Sequence, residues 1–260
     1  MSAVTLANVH AAAERIAGRV RRTPLVPAML CHDPLPGDPA LNLKLECLQV
    51  SGSFKARGAM SKLTTLDEDA RARGLITASG GNHGLGVAYA GHSAGVGVTI
   101  YLPGNTPPAK ADSLRRWGAD VHIHGEVWDD ANREALAVAA REGKTYIHPF
   151  ADPDVIAGQG TISLEVLADA PDTDVLLVSI GGGGLISGTA LAAKALKPEI
   201  TVIGVEPIGA PTLAESVAAG KLVELASIDT KANTLAPRRS EDINLALIQD
   251  NVDGIVLVSD

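Results

Sequence analysis

Lys55 is the residue in this chain best placed to do covalent chemistry. It stands in Ser51-Gly52-Ser53-Phe54-Lys55-Ala56-Arg57-Gly58-Ala59, where a serine can cap a helix running on to about Leu63. An amine in the first helical turn feels the positive end of the helix dipole. Partial desolvation then favours its neutral form, which is the form that condenses with an aldehyde to a Schiff base. Taken alone, a lysine at a helix start reads as a solvated surface charge. Two glycine-rich stretches change that reading: Ser79-Gly80-Gly81-Asn82-His83-Gly84 and Gly181-Gly182-Gly183-Gly184-Leu185.

The four glycines stand between an apolar run, Val175 to Ile180, and a helical pattern from Leu185 to Leu196. Such a loop lets the backbone approach an anion, and the following helix supplies aligned N–H donors. A strand-to-helix turn alone needs one or two glycines, so four favour a phosphate. No Gly-Lys-Ser/Thr follows, which excludes a P-loop, and the G-x-G-x-x-G spacing of a dinucleotide fold is absent. Ser79 to His83 also precede a helix, and their N–H groups suit a second anion such as an amino-acid carboxylate. Asn82 offers a neutral amide able to donate to a phenolate oxygen.

The elements that must hold these stretches follow from periodicity. Residues 5–19 read as an amphipathic helix with Val9, Ala12, Ile16 and Ala17 on one face. Residues 31–40 form a proline-rich loop, and Leu41 to Leu45 alternate like a strand. From Leu75 the chain repeats strand, loop and helix: strands at 75–78, 96–102 and 121–124, helices at 85–94, 107–117 and 129–141. A second unit follows His148-Pro149-Phe150, with a helix at 155–169, the Val175–Ile180 strand expected to be buried in a parallel sheet, and a strand at 201–205. A short helix at 212–220 closes on Gly220; residues 221–239 give no clear pattern; a helix at 241–249 and a strand at 255–258 end the chain. The rhythm implies an α/β fold of open parallel sheets with helices on both faces.

The 260 residues are 46% hydrophobic and 20% charged, enough for a sizeable core. A net charge of -8 argues against nucleic-acid and anionic-membrane partners. No basic segment precedes an apolar stretch at the N-terminus, and no apolar run reaches spanning length. Cys31 and Cys47 fit no disulfide or metal spacing and are expected to be reduced thiols in a cytoplasmic protein, Cys47 packed rather than reactive. His122 and His124 share a strand face without a third ligand, which favours solvated histidines over a metal site. His148 is expected to be structural.

Taken in order, these segments resemble the serine/threonine dehydratases of pyridoxal 5'-phosphate (PLP) fold type II, the tryptophan-synthase β-like group. The resemblance spans essentially the whole chain. Besides the three stretches it rests on Arg22-Thr23-Pro24-Leu25, Leu45-Glu46-Cys47-Leu48-Gln49, His148-Pro149-Phe150, Gly158-Gln159-Gly160-Thr161 and Gly204-Val205-Glu206-Pro207. It implies that Lys55 forms the Schiff base with PLP and Phe54 packs beside it. It implies further that Asn82 bonds the cofactor's 3'-oxygen, that Gly181, Gly182, Gly183, Gly184 and Leu185 cradle its phosphate, and that Ser79, Gly80, Gly81, Asn82 and His83 bind the substrate carboxylate. The fold implied is a large PLP domain of residues 1–57 and 150–260 with a small α/β domain, 58–149, inserted.

The implied reaction is α,β-elimination from a β-hydroxy amino acid such as L-threonine or L-serine, giving a 2-oxo acid and ammonia, in a homodimer as is common in the family. Racemases of the family resemble the chain too, but they place an acid/base serine where this chain has Gly80, so dehydration is favoured. A divalent cation bound by some relatives would fall to Glu206 and the Ala210 carbonyl, but the second carboxylate position is Thr212, so no metal is expected. Asn233-Thr234 stand where the family usually has Asp-Gly, near the cofactor. The family normally continues beyond Asp260 with a segment that meets the pyridine nitrogen. If 260 residues were the whole molecule, an open pyridine site and an exposed apolar patch would follow, and a truncated, non-catalytic PLP-binding module becomes the alternative.

Overall fold

The structure is a computed structural model that describes residues 4–28, 37 and 39–260; Cys31 and most of the loop expected over 31–40 lie outside them. Helix α1 (Leu6–Ile16) starts at Thr5, whose hydroxyl accepts from the Asn8 N–H while Asn8 Oδ1 accepts from the Thr5 N–H. Its buried face is Val9, Ala12 and Ile16; Ala17, expected to join them, falls beyond the helix and is exposed. Strands β1 (Leu25–Pro27) and β2 (Asn42–Lys44) pair antiparallel, the one departure from the expected parallel pairing.

Helix α2 (Lys55–Thr65) is followed by a short α3 (Glu68–Arg73), capped by Asp67, that periodicity did not reveal. Next come β3 (Leu75–Ala78), α4 (Asn82–Ala94), β4 (Val98–Leu102), α5 (Pro108–Arg115), β5 (Asp120–Ile123), α6 (Trp128–Glu142) and β6 (Thr145–Tyr146). Their strands form one parallel sheet in the order β5-β4-β3-β6, with Leu75 opposite both Val98 and Thr145. Alternation along β3 explains its burial on both sides. Leu75 packs with Ile100, Val87, Ala88, Leu114 and the α2 residues Met60 and Leu63. Ile76 and Ala78 turn the other way, onto Ala135, Val138 and Ala139 of α6.

The chain continues through α7 (Pro153–Asp169), β7 (Val175–Ser179), α8 (Gly184–Leu196), β8 (Thr201–Pro207), α9 (Thr212–Ala219), α10 (Asp242–Asn251) and β9 (Gly254–Val258). Residues 221–239 are irregular apart from a 3-10 turn at Asn233–Leu235. The strands form a second parallel sheet, β7-β8-β9. The expectation that Val175–Ile180 is a fully buried strand does not hold. Leu176 and Val178 pack on the α8 and α10 core, but Val175 and Leu177 are 50% and 65% exposed. The reason is position: β7 is an edge strand, and no helix among the described residues covers its outer face.

Bare backbone brings the central helices together. A Cβ on Gly188 of α8 would lie 2.2 Å from the Ile156 carbonyl oxygen of α7, and one on Gly86 of α4 would lie 2.9 Å from the Lys55 carbonyl carbon. Helix α2 therefore runs between α4 and α7, with its first residue pressed against α4.

Candidate active site

Lys55 is the first residue of α2, but neither serine caps the helix. Phe54 is the residue at the cap and is already helical, and the Ser51 and Ser53 hydroxyls are buried without a hydrogen-bond partner among the described residues. Lys55 Nζ instead donates to the Pro149 carbonyl at 2.5 Å and sits 5.1 Å from the centre of the Phe54 ring. Burial brings its pKa down to about 8 from the usual 10.5, with no carboxylate opposing the shift.

Two histidines near Lys55 are held neutral. His83 is buried, its Nε2 lying 3.0 Å from both Thr77 Oγ1 and the Ile147 carbonyl. A carbonyl only accepts, so Nε2 carries the proton. Desolvation and then the Lys55 charge push its pKa down to about 3. His148 Nδ1 accepts from the Phe150 and Ala151 N–H groups, which makes His148 the structural residue expected; burial first, then Lys55, lowers it to about 4 against the pull of Asp152.

The tetraglycine loop is bare backbone in close contact with its neighbours. The Gly182 carbonyl accepts from Ser240 Oγ and Asn244 Nδ2, both at 2.9 Å, and Ser187 Oγ donates to Asn244 Oδ1. Peptide planarity then directs the Gly183 N–H to the opposite side. Gly183 has φ +93°, which favours glycine. Helix α8 begins at Gly184, so its first N–H groups lack intrahelical acceptors. A Cβ on Gly182 would lie 2.2 Å from the Phe150 ring, and one on Gly184 would lie 2.4 Å from the Phe150 carbonyl oxygen. The 3-10 turn is also here: a Cβ on Gly181 would stand 3.3 Å from the Thr234 carbonyl oxygen. Backbone donors at a helix start, with no side chains of their own in the way, suit a phosphate.

The Ser79 stretch divides differently from expectation. Asn82 and His83 are already helical, the Gly81 N–H donates to Ser79 Oγ at 3.3 Å, and the His83 ring is turned into the core rather than the cleft. What His83 offers a ligand is its backbone N–H in the first turn of α4. Asn82 is exposed, with no side-chain hydrogen bond among the described residues. A cavity of about 320 Å³ opens beside Gly80 and Gly81.

Sequence reasoning missed the network beneath Lys55. Arg57 is buried; its Nε and Nη2 donate to Glu46 at 2.8 Å, and its Nη1 and Nη2 to Glu165 at 2.6 and 2.9 Å. Lys44 Nζ donates to Glu165 at 2.6 Å, and Thr23 Oγ1 to Glu46 at 2.5 Å. The two carboxylates hold Arg57 charged well above its usual pKa against the cost of burial, and Arg57 and Lys44 keep Glu165 ionised although desolvation opposes it. The spacing Lys55-x-Arg57 was the available signal: residues two apart on a helix do not share a face, so Arg57 serves a different site from Lys55.

Other sequence candidates take different roles. Both Glu206 oxygens accept N–H groups of α9, from Leu213 at 2.9 Å and Ala214 at 2.8 Å, so the carboxylate caps that helix. Burial raises it to about 7 in spite of those bonds. Ala210 is buried beside it, and no cluster of three metal-ligating side chains occurs among the described residues. His122 Nε2 donates to the Asp120 carboxylate at 2.7 Å, and the ring stacks on Tyr101. Cys47, expected to be packed, is exposed, because its 3-10 turn buries none of its three residues. No helix among the described residues is long and apolar enough to cross a membrane.

A family model described as pyridoxal-phosphate dependent enzyme matches residues 16–260. L-threonine ammonia-lyase of Thermotoga maritima is 38% identical over 257 residues, covering 99% of this chain and 64% of the relative. Serine racemase of Oryza sativa subsp. indica is 39% identical over 263 residues, covering 99% and 75%. The structure of maize serine racemase superposes with a TM-score of 0.93 at 36% identity, covering 99% of this chain and 78% of that one. The chain thus spans just under two thirds of the Thermotoga relative. The residues present fit the cofactor that the family description implies: an amine of lowered pKa, an amide with free donors, and a side-chain-free cradle of N–H groups.

Proposed function

The chain belongs to the pyridoxal-phosphate dependent enzyme family, and from that premise we propose that it is an ammonia-lyase converting a β-hydroxy amino acid such as L-threonine or L-serine to a 2-oxo acid and ammonia. The observation that carries this reading is Lys55, an amine of pKa about 8 at a helix start between two anion-accepting loops. Lys55 would hold PLP through its aldehyde carbon, residues 181–185 its phosphate, and Asn82 its ring oxygen, with Phe54 alongside. Bound there, PLP supplies an electron sink for the carbanion formed at the substrate Cα.

The protein's own groups do the rest. The N–H groups at the start of α4 receive the substrate carboxylate. Lys55 Nζ accepts the α-proton, and its lowered pKa makes the neutral form far more abundant near pH 7 than in a solvated lysine. His83 and His148, at about 3 and 4, are neutral at pH 7 and leave the amine without a competing acid. The apolar packing of α2 against α4 and α7 holds Nζ in place.

A second reading, a racemase, draws on the likeness to the rice enzyme. Racemisation needs a second proton carrier on the opposite face, and Gly80 has no side chain to be one. We also propose a cytoplasmic homodimer; the free thiol of Cys47 supports a reducing compartment. The test is to supply the purified chain with PLP and L-threonine or L-serine and to measure ammonia, 2-oxo acid and enantiomeric purity together. Ammonia and 2-oxo acid in equal amounts, lost in Lys55→Ala, are expected. Loss of enantiomeric purity without ammonia would establish the racemase instead, and turnover surviving Lys55→Ala would end both readings.

A further inference from the structure

We propose that His148 is a positioning residue for the active site: one ring nitrogen aims two successive peptide groups, the first at Lys55 and the second at the tetraglycine loop. This rests on the reading of Lys55 and residues 181–185 as the cofactor site. His148 lies between β6 and α7, just before Pro149. Its Nδ1 accepts from the Phe150 N–H at 3.2 Å and from the Ala151 N–H at 2.8 Å. Each N–H shares a rigid plane with the carbonyl before it, and in a trans peptide the two point in opposite directions. Holding the Phe150 N–H therefore aims the Pro149 carbonyl, which is the acceptor of Lys55 Nζ. Holding the Ala151 N–H aims the Phe150 carbonyl, whose oxygen lies 2.4 Å from where a Cβ on Gly184 would stand.

The neighbours of His148 support the same role. Pro149 has a fixed φ and no N–H to compete for the ring nitrogen. The His148 and Phe150 rings meet edge to face with centroids 4.7 Å apart. The Phe150 ring is also the surface that a Cβ on Gly182 would meet at 2.2 Å. His148 thus holds Phe150 by its backbone and by its ring, and Phe150 backs the glycines.

The effect is directional and owes nothing to the charge of His148. Burial lowers its pKa to about 4, with Asp152 opposing and Lys55 assisting, so the ring is neutral at pH 7. His83, the other histidine that feels Lys55, is neutral there too, and no carboxylate opposes the lowered pKa of Lys55. A carbonyl acceptor favours the ammonium form of Lys55 over the amine. Turning that carbonyl away removes the preference while leaving the burial.

His148→Leu removes the acceptor at similar bulk, and His148→Gln carries its amide one carbon too far. His148→Asn restores it, because an asparagine oxygen reaches the backbone N–H two residues on. The first readout needs no cofactor: the ligand-free chain is trace-labelled with acetic anhydride across a pH series, and Lys55 is followed by mass spectrometry. The unaltered chain should show a midpoint near 8. His148→Leu and His148→Gln should lower that midpoint by about one pH unit, the order expected for one lost charge-assisted hydrogen bond, and His148→Asn should leave it in place. Loosened packing alone would hydrate the amine and move the midpoint up toward 10.5. The second readout is the affinity for PLP relative to pyridoxal, which lacks the phosphate; the ratio should fall about tenfold in His148→Leu and His148→Gln and hold in His148→Asn. A midpoint that stays or rises without the acceptor, a fall that His148→Asn does not reverse, or one affinity ratio common to all four chains overturns the proposal. If the unaltered chain condenses with neither aldehyde at Lys55, the cofactor reading fails, while a midpoint that falls only without the acceptor still upholds the aim of His148 at Lys55.

Discussion

Lys55 and Arg57 are two cations on the same turn of α2, and their surroundings are opposite. Arg57 points into a pocket where Glu46, Glu165 and Thr161 use its guanidinium donors fully. Lys55 has no carboxylate partner among the described residues, where its one hydrogen-bond acceptor is the Pro149 carbonyl. The first pocket is complete within the chain. Around the second, the Lys55 ammonium has one acceptor for its three N–H groups, and the buried Ser51 and Ser53 hydroxyls that precede it in the chain have none among the described residues. Completeness marks a structural site and its lack marks a ligand site, although the two share a helix turn.

Substitutions at the two cations should therefore separate. Arg57→Met strands two largely buried carboxylates and should lower stability in urea by about 3–5 kcal/mol. Lys55→Met removes a charge that burial disfavours and should leave stability unchanged or raised. If both substitutions cost the same, the contrast between the pockets is wrong.

Gly182→Ala tests the cradle. Its methyl would meet the Phe150 ring at 2.2 Å, so about 1–3 kcal/mol of stability should be lost together with most of the PLP affinity. Stability and PLP affinity unchanged in that variant would show the loop to be a plain turn.

Protonation gives a finer measure. Lys55 titrates near 8 when folded and near 10.5 when unfolded. Between those values the unfolded chain holds more protons, so stability rises with pH there, and below about 8 the burial cost is fully present. Condensation of Lys55 with an aldehyde should accordingly rise with pH about a midpoint near 8. A midpoint near 10.5 would mean that the amine is solvated.

The smallest effect is expected at Ser53. A helix cap lost to alanine costs about 1 kcal/mol; because the Ser53 hydroxyl has no partner among the described residues, Ser53→Ala should change the stability of the ligand-free chain by less than about 0.5 kcal/mol.

That serine shows where sequence reading stops. The period of apolar residues located α4 to α8 within a few positions, because those helices bury one face and those strands alternate. Lys55, Asn82 and the glycines stood out as candidates only through their company, since each alone reads as an ordinary turn or surface residue. The partners of Arg57 were not, since Glu46 and Glu165 lie 11 and 108 residues away and only the crossing of α2 with α7 brings them together. Nor was the direction of the His83 ring, which depends on Thr77 and Ile147. The exposure of Val175 and Leu177 was misread because a fully buried strand and an edge strand can have the same composition.

The most direct measurement of the central claim is to load the chain with PLP, reduce it with borohydride and map the modified peptide by mass spectrometry. The account predicts a pyridoxyl group on Lys55 alone, and none on the chain carrying Lys55→Ala. A pyridoxyl group on another lysine, or equal labelling of the Lys55→Ala chain, would contradict it.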